Sequence, residues 1–298
     1  MNVGFVGLGT MGGPMARNVL DKGHRLVVHD VNRAAIDAVV AAGATAAASP
    51  KDVAASSDIV ITMLPDAPDV ERVALGGNGI VHGLRPGSVY IDMSTIDPAT
   101  TRKVGAAIAA SGASMIDSPV GTTAAAAVAG TLTLMVGGPA DVVARCRPVL
   151  DCMGTDFFHC GELGAGQTMK LINNLLATAV SEASIEALVT GTKSGLSLDT
   201  MLSVLRTTMA WNNALAIAMP KRPLAGDFSP GFMVKLAHKD CRLALAMVES
   251  LGVSAPVGRA ALASLDEAMQ RGLQDNDVGA LLKLREEPVG VKVRLAKA

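Results

Sequence analysis

Hydrophobic and polar residues follow two different patterns along the chain. In the first half, short β-branched runs typical of strands alternate with alanine-rich segments that have helical periodicity. The predicted strands are Val3–Val6, Arg25–His29, Ile59–Thr62, Ser88–Ile91 and Thr131–Val136, and the predicted helices are Met11–Leu20, Arg33–Ala41, Ala99–Ala110 and Ala140–Cys152. Strands and helices in this order predict right-handed parallel βαβ units, and therefore an α/β fold with a doubly wound parallel sheet.

The second half has few strand signals after about Gly161. Long helical patterns replace them, at Gln167–Ser194, Leu198–Thr208, Pro230–Leu251, Val257–Arg271 and from Val278 onward. We therefore predict two domains, residues 1–162 and an all-helical domain of residues 163–298. The tail Glu286–Ala298 contains Pro288 and basic residues. A frayed end and a segment docked on a partner subunit both remain open for it.

Composition excludes several classes of protein. The 298 residues carry 26 basic and 27 acidic side chains, and 2% are aromatic, which disfavours a surface for nucleic acid or anionic lipid. The uncharged stretch Ser118–Ala140 is interrupted by prolines and glycines, so we predict no membrane span. No basic region precedes the first apolar run, so we predict no secretory signal. The four cysteines lack a C-x-x-C spacing, and we interpret them as reduced thiols of a cytoplasmic protein without a metal site.

A glycine-rich segment follows the first predicted strand and begins the first predicted helix. Glycines at positions 7, 9 and 12 suit a tight turn, close approach of a pyrophosphate and close packing of helix on strand. The N–H groups at the helix N-terminus then bind phosphate oxygens. The pattern predicts a dinucleotide-binding loop, with a glycine-rich turn that binds no ligand as the structural alternative. The loop residues are Gly7, Gly9, Thr10, Met11 and Gly12.

An acidic residue at the end of the second predicted strand helps to distinguish NAD from NADP. Asp30 lies there, 18 residues after Gly12. A carboxylate at this position binds the ribose hydroxyls of adenosine and repels a 2′-phosphate, which favours NAD. Arg33 keeps NADP possible, because a guanidinium at this position receives that phosphate.

Two further loops follow predicted strands and fall at the same edge of the sheet. We predict that Leu64 and Pro65 lie over the adenosine and ribose, and that Thr95 contacts the nicotinamide side. Capping of the next helix is an equally good explanation for Ser94, Thr95 and Asp97.

The longest predicted helix carries a cation and an amide on one face. Lys170 and Asn174 are four residues apart, and the small residues Ala177 and Ser181 continue their face. We expect the other faces to be buried in the core through Leu171, Leu175, Leu176 and Val180. A lysine on such a helix lines a cavity or extends its ammonium group to solvent, and both interpretations stay open.

A later helix places two charges within an apolar stripe. We predict that Phe232, Leu236, Leu243 and Met247 form its buried stripe. Lys239 and Asp240 lie between these positions, and buried charges need partners. A structural ion pair with another helix and a contact with cofactor or substrate are the two alternatives. We interpret His238 as structural.

Several of these segments together resemble the 3-hydroxyacid (β-hydroxyacid) dehydrogenases, the 3-hydroxyisobutyrate dehydrogenase group. They occur in the family's order and cover nearly the whole chain. The matching segments are Val6–Ala16, Asp92–Thr95, Asp117–Val120, Gly130–Leu132, Met135–Gly138, Gly166–Asn174 and Lys239–Asp240.

The resemblance implies an N-terminal Rossmann domain, an all-α C-terminal domain and an active site between them. In that family Lys170 matches the catalytic lysine, Asn174 matches a substrate-binding amide beside Asn173, and Thr95 and Lys239 match cofactor contacts. Gly121-Thr122-Thr123 occupies the place where most members have Ser-Gly-Gly and hold the substrate carboxylate. This departure is more similar to the sulfolactaldehyde reductase branch, which has an arginine where this chain has Thr122.

We therefore expect an NAD-dependent enzyme that interconverts a small 3-hydroxyacid and its semialdehyde. Candidate substrates are of the 3-hydroxyisobutyrate, tartronate semialdehyde and 4-hydroxybutyrate type, and Gly121, Thr122, Thr123, Asn173 and Asn174 are the predicted substrate-binding residues. A lysine has an ordinary pKa of about 10.4, so burial near a cationic nicotinamide is expected to lower the pKa of Lys170. Sulfolactaldehyde reduction, imine reduction and a non-enzymatic dinucleotide sensor are the alternatives. The apolar helices also predict a homodimer or homotetramer.

Overall fold

The computed structural model describes residues 1–295, so the last three residues of the basic tail lie outside the described residues. The chain divides into two compact units, which meet in sequence after Lys170. The domain boundary after residue 162 remains a prediction.

The N-terminal unit is built on a single sheet. Its strands are β1 (Asn2–Val6), β2 (Arg25–His29), β3 (Thr45–Ala46), β4 (Ile59–Thr62), β5 (Val89–Asp92), β6 (Ser114–Asp117), β7 (Val120–Gly121), β8 (Leu132–Gly137) and β9 (Gly154–Gly161). The spatial order is β3-β2-β1-β4-β5-β6-β8-β7, and β9 pairs with β8. The strands from β3 to β6 are parallel, whereas β8 runs antiparallel to β6 and β7. The predicted α/β fold is therefore confirmed.

Helices cover both faces of this sheet. They are α1 (Gly12–Asp21), α2 (Arg33–Val40), α3 (Pro50–Ala55), α4 (Ala67–Leu75), α5 (Pro98–Ala110), α6 (Ala124–Ala129) and α7 (Ala140–Leu150). Along β4, Ile59 and Ile61 belong to one apolar core and Val60 belongs to the other. A strand buried on both faces carries a continuous apolar run instead of an alternating one, which is why Ile59–Thr62 was visible in the sequence.

The strand order reverses between β1 and β4, because chain connections leave β1 in opposite directions across the sheet. Ligands of doubly wound sheets bind beyond the carboxyl ends of the strands at such a point. The glycine-rich loop follows β1, and Met63 and Leu64 follow β4. The topology therefore places the predicted dinucleotide loop at the switch point.

The C-terminal unit contains helices throughout its described part. α8 (Ala165–Lys193) begins in the N-terminal unit and continues into this one, followed by α9 (Leu198–Arg206), α10 (Met219–Lys221), α11 (Val234–Ser250), α12 (Pro256–Gln270) and α13 (Leu281–Glu286). Leu188, Leu245, Leu265 and Leu281 are among the residues of its apolar core. No helix in residues 1–295 is both long enough and apolar enough to cross a membrane.

Three predictions for the helices were wrong. The helix expected from Pro230 begins at Val234, because the preceding residues pair with a distant loop: Val278 N donates to Phe232 O and Asp277 N donates to Phe228 O. The buried stripe of α11 is rotated by about one residue from the expected one, and Phe232 is 40% exposed. The residues that are buried on α11 are Val234, Ala237, Asp240, Cys241, Ala244 and Leu245.

On α8, Leu176 was expected in the core but is 63% exposed. Leu175 packs against the core of the C-terminal unit. Its neighbour Leu176 lies about 100° further around the helix and therefore faces away from that core.

Candidate active site

The loop after β1 has the geometry that its glycines predict. Gly7 has a φ of +95°, and a Cβ there would lie 2.3 Å from Met63 O. A Cβ on Gly12 would lie 1.9 Å from Gly7 O, whereas Gly9 has no atom within 4 Å of the position of a Cβ. The turn therefore packs closely against the loop after β4 at Gly7 and against the first turn of α1 at Gly12, whereas the backbone at Gly9 borders open space. This is a cradle that fits a pyrophosphate.

The N-terminus of α1 adds to this cradle. Met11 occupies the cap position, and among the described side chains none caps this helix end. The N–H groups of a first helical turn lack intrahelical acceptors and carry the positive end of the helix dipole. Gly13 N already donates to Gly9 O at 3.0 Å and Pro14 has no N–H, so an anion at this position would meet chiefly the positive end of the helix dipole.

Asp30 connects the end of β2 with the glycine loop. One carboxylate oxygen accepts a hydrogen bond from Leu8 N at 2.6 Å, and the other accepts one from Asn32 N at 2.7 Å. A carboxylate has about four acceptor positions, so it retains capacity for ligand hydroxyls. Arg33 forms an exposed ion pair with Asp37 at 2.8 Å.

The loops after β4 and β5 are joined by a buried polar network. Leu64 N donates to Ser94 Oγ at 2.9 Å, and Ser94 Oγ donates to Asp92 Oδ1 at 2.6 Å. Thr62 Oγ1 also donates to Asp92, at 2.8 Å. The network therefore holds the segment with Leu64 and Pro65 beside the segment with Thr95.

Asp117, at the end of β6, holds the beginning of α8. Its fully buried carboxylate accepts hydrogen bonds from Gly164 N at 2.6 Å and Gln167 N at 2.7 Å. Burial raises the pKa of Asp117 to about 6, and the negative charge of Asp92, its register partner on β5, adds to this effect. The two N–H donors oppose the shift, but burial outweighs them.

Gln167 joins the same helical turn to the loop after β5. Its side chain is fully buried, its Oε1 accepts from Ile96 N at 3.2 Å, and its Nε2 donates to Ser94 O at 2.8 Å. Lys170 follows three residues later, within the same compact unit. The helix that carries Lys170 therefore starts at the carboxyl edge of β5 and β6.

The segment Gly121-Thr122-Thr123 contains a strained residue. Thr122 has a φ of +77°, the only positive value of a non-glycine residue in the described chain. A β-branched side chain is disfavoured there, and such strain is frequent at ligand-binding sites. Thr123 accepts a hydrogen bond from Ala126 N and caps α6.

The C-terminal unit contains its own polar cluster. Asn174 Nδ2 donates to Asp240 Oδ2 at 2.6 Å, and Lys239 Nζ lies 3.2 Å from Asp240 Oδ1. Asn174 also accepts from Asn173 Nδ2 at 2.9 Å. Asp240 is 4% exposed, so the expected charge in the buried stripe is present with partners on two helices. His238 contacts Asp266 at 2.8 Å.

Asp117 and Gln167 lie in motifs of the sequence but were not predicted to be site residues. A polar signal was available for both, since each is a hydrogen-bonding residue next to apolar or glycine-rich segments that the fold buries. Their partners lie 47 to 73 residues away in the chain, so no local pattern identified them. Within residues 1–295, no group of three or more His, Cys, Asp or Glu side chains is arranged to hold a metal ion.

Two family profiles match the chain. Residues 2–161 match the NAD-binding domain of 6-phosphogluconate dehydrogenase, and residues 164–285 match the profile described as NAD-binding of NADP-dependent 3-hydroxyisobutyrate dehydrogenase. The chain is 40% identical to a 3-sulfolactaldehyde reductase of Escherichia coli over 293 residues, 98% of each chain. It is also 40% identical to the 3-hydroxyisobutyrate dehydrogenase of Pseudomonas aeruginosa over 263 residues, 86% of this chain and 88% of the relative.

Among solved structures, the 3-hydroxyisobutyrate dehydrogenase of Mycobacterium tuberculosis with L-serine has a TM-score of 0.89 at 33% identity, and the match covers 95% of this chain and 98% of that one. The chain therefore belongs to the 3-hydroxyacid dehydrogenase family. It is an NAD(P)-dependent oxidoreductase with a Rossmann-type nucleotide-binding domain, as the sequence resemblance predicted.

Proposed function

We propose that the chain interconverts a small anionic 3-hydroxyacid and its semialdehyde with NAD, and that Lys170 is the general acid and base. The observation that carries this proposal is the attachment of the Lys170 helix to β5 and β6. Asp117 and Gln167 hold the first turn of α8 at the carboxyl edge of the sheet. Dinucleotides bind at this edge in doubly wound folds.

The proposal assigns ten residues to cofactor binding. They are Gly7, Gly9, Thr10, Met11, Gly12, Asp30, Leu64, Pro65, Thr95 and Lys239. The open space at Gly9 and the uncapped end of α1 support a pyrophosphate position. Asp30 favours NAD because its carboxylate lies at the loop, whereas Arg33 is paired with Asp37.

The proposed mechanism combines a hydride transfer at the substrate carbon with a proton transfer between Lys170 and the substrate oxygen. A nicotinamide dinucleotide, when bound, would supply or accept the hydride. In reduction, the aldehyde carbon gains the hydride with its two electrons, and the carbonyl oxygen takes a proton from the Lys170 ammonium group, which gives the primary alcohol. In oxidation, the neutral Lys170 amine takes the alcohol proton while the hydride leaves the carbinol carbon.

Amide groups orient the substrate in this scheme. Asn174 lies four residues after Lys170 on α8, and residues so spaced share a helix face. Asp240 accepts a hydrogen bond from one of the two N–H groups of Asn174 Nδ2. This bond fixes the amide and leaves the second N–H group for the reacting oxygen. Asn173 and the segment Gly121–Thr123 bind the acid group of the substrate, and the strained Thr122 supports a ligand role for that segment.

The test of the mechanism is the Lys170→Ala variant. We expect kcat to fall at least about 100-fold, the low end of a general acid–base contribution, while the Kd for NADH changes less than about threefold. Lys170→Arg keeps the charge but not a transferable proton, and we expect a similar loss. Turnover retained in Lys170→Ala would remove Lys170 from the proposed role.

The substrate is tested by NADH oxidation with a panel of compounds. The panel contains methylmalonate, tartronate and succinic semialdehydes, sulfolactaldehyde and a cyclic imine, with oxidation of L-serine measured in reverse. We expect a carboxylate semialdehyde to react fastest. A preference for sulfolactaldehyde assigns the chain to the chemistry named for its Escherichia coli relative. Turnover of the imine alone, or of no compound, contradicts the proposal and favours an imine reductase or a dinucleotide sensor.

We also propose that the chain forms a homodimer or homotetramer. Met169, Ile172 and Leu176 lie on one face of α8 and are 40%, 48% and 63% exposed. Apolar side chains in a continuous patch are typical of surfaces that bind a partner. Size-exclusion chromatography with light scattering tests this, and a monomeric mass at micromolar concentration would refute it.

A further inference from the structure

Gln167 is a buried amide whose hydrogen bonds lead away from its own helix. The side chain is 0% exposed, yet both of its polar atoms bond to the backbone of the loop after β5. The bonded groups are Ser94 O and Ile96 N, which flank Thr95. The amide group therefore pairs with one N–H and one C=O of this loop, as the backbone of a neighbouring strand does.

The helical turn that carries Gln167 is held from a second direction. Asp117 accepts hydrogen bonds from two backbone N–H groups of the turn. The turn also contacts β8, because a Cβ on Gly166 would lie 2.2 Å from Met135 O. Asp117 thus attaches the helix to β6. The Gln167 side chain joins the same turn to the loop that contains Thr95.

We propose that Gln167 is a positioning residue that sets the place of Lys170 relative to the Thr95 loop. The proposal rests on the proposed function, because it requires Lys170 to be the proton donor. Lys170 lies three residues after Gln167, about one helical turn and 4.5 Å along the axis. Movement of the turn against the loop therefore moves the lysine against whatever the loop contacts, and a displacement of about 1 Å in an active site costs up to about 100-fold in rate.

The first experiment compares Gln167→Met with a matched control. Methionine has a similar volume and removes both hydrogen bonds. Thr168→Val is the control, because Thr168 lies in the same turn and its Oγ1 donates to Gly164 O, at the beginning of the helix, at 2.9 Å. With the panel compound that reacts fastest, we expect kcat of Gln167→Met to fall about 30-fold with the Kd for NADH nearly unchanged. We expect kcat of Thr168→Val to change less than about twofold.

The second experiment separates positioning from a general loss of structure. Gln167→Met is combined with Lys170→Ala. If Gln167 acts through Lys170, the double variant is no more than about twofold slower than Lys170→Ala alone. A further 30-fold loss in the double variant would show an effect independent of Lys170 and would overturn the proposal.

A third readout does not depend on turnover. Hydrogen exchange of the Ile96 amide, measured by mass spectrometry, is expected to accelerate in Gln167→Met and to stay protected in Gln167→Glu, which keeps the acceptor for Ile96 N. Unchanged protection in Gln167→Met would contradict the contact. If Gln167→Met does not fold, Gln167→Glu carries the kinetic test, because it loses the donor to Ser94 O.

The outcomes distinguish the two proposals. If Lys170→Ala retains turnover, the proposed function fails and the positioning role fails with it. If Lys170→Ala is inactive but Gln167→Met is as active as Thr168→Val, only the positioning role is refuted.

Discussion

Replacement of Asp117 by asparagine removes a buried ionisable group from the beginning of α8, the helix that carries Lys170. In the wild-type chain, burial raises the pKa of Asp117 from 3.8 to about 6, although two backbone N–H groups donate to it. Asparagine keeps one oxygen acceptor but places an amide donor opposite the second N–H. The variant therefore loses a hydrogen bond and gains a group whose charge does not change with pH.

The sign of the pH effect follows from the raised pKa. The folded protein binds this proton more tightly than the unfolded chain, so the contribution of Asp117 to the free energy of unfolding falls as the pH rises through the range between the two pKa values. A shift of about two units at about 1.4 kcal/mol per unit gives about 3 kcal/mol for the whole titration. From about pH 4 to about pH 7, we expect the wild-type-minus-variant difference in the free energy of unfolding to fall by about 2 to 3 kcal/mol.

The assay is urea denaturation followed by circular dichroism, at one protein concentration and several pH values. Gln167→Met is the matched control, because it removes hydrogen bonds from the same helical turn but no ionisable group. Its difference from the wild type is therefore expected to be independent of pH. An Asp117→Asn difference that stays constant, or that grows as the pH rises, would refute the assignment of a raised pKa to this carboxyl group.

Three further substitutions test the loop, the strained segment and the helical cluster. Gly12→Ala places a Cβ 1.9 Å from Gly7 O, and we expect the Kd for NADH in a fluorescence titration to rise at least about tenfold because the cradle opens; unchanged affinity would contradict this. Thr122→Gly relieves a φ of +77° and should raise the free energy of unfolding by about 1 kcal/mol in urea denaturation; a loss of stability would show that the loop is unstrained. Asn174→Ala removes an N–H from the buried Asp240 and should lower the free energy of unfolding by about 1 to 3 kcal/mol, whereas an equally stable variant would indicate that water replaces the amide.

Much of the N-terminal unit was determined by local sequence. β2 and β4 were predicted with the observed bounds, and the glycine loop was placed between the observed β1 and α1. These elements are visible because a strand buried on both faces is continuously apolar, and because the turn requires glycines at particular positions. In the N-terminal unit, the helices α3, α4 and α6 and the strands β3, β6, β7 and β9 were not predicted. Apart from α4 and β9 these elements have six residues or fewer, and β9 is largely exposed, so it lacks the continuous apolar run of a buried strand.

The tertiary structure decided which polar residues meet. The sequence placed Lys170 and Asn174 on one helix face, because a spacing of four is a property of the helix itself. It did not show that Asp117 and Gln167 hold that helix at the ends of β5 and β6, since those contacts join residues 50 and 73 positions apart. Hydrogen bonds of this kind form only after the sheet brings its strand ends together, and so the place of the lysine follows from the fold and not from any local pattern.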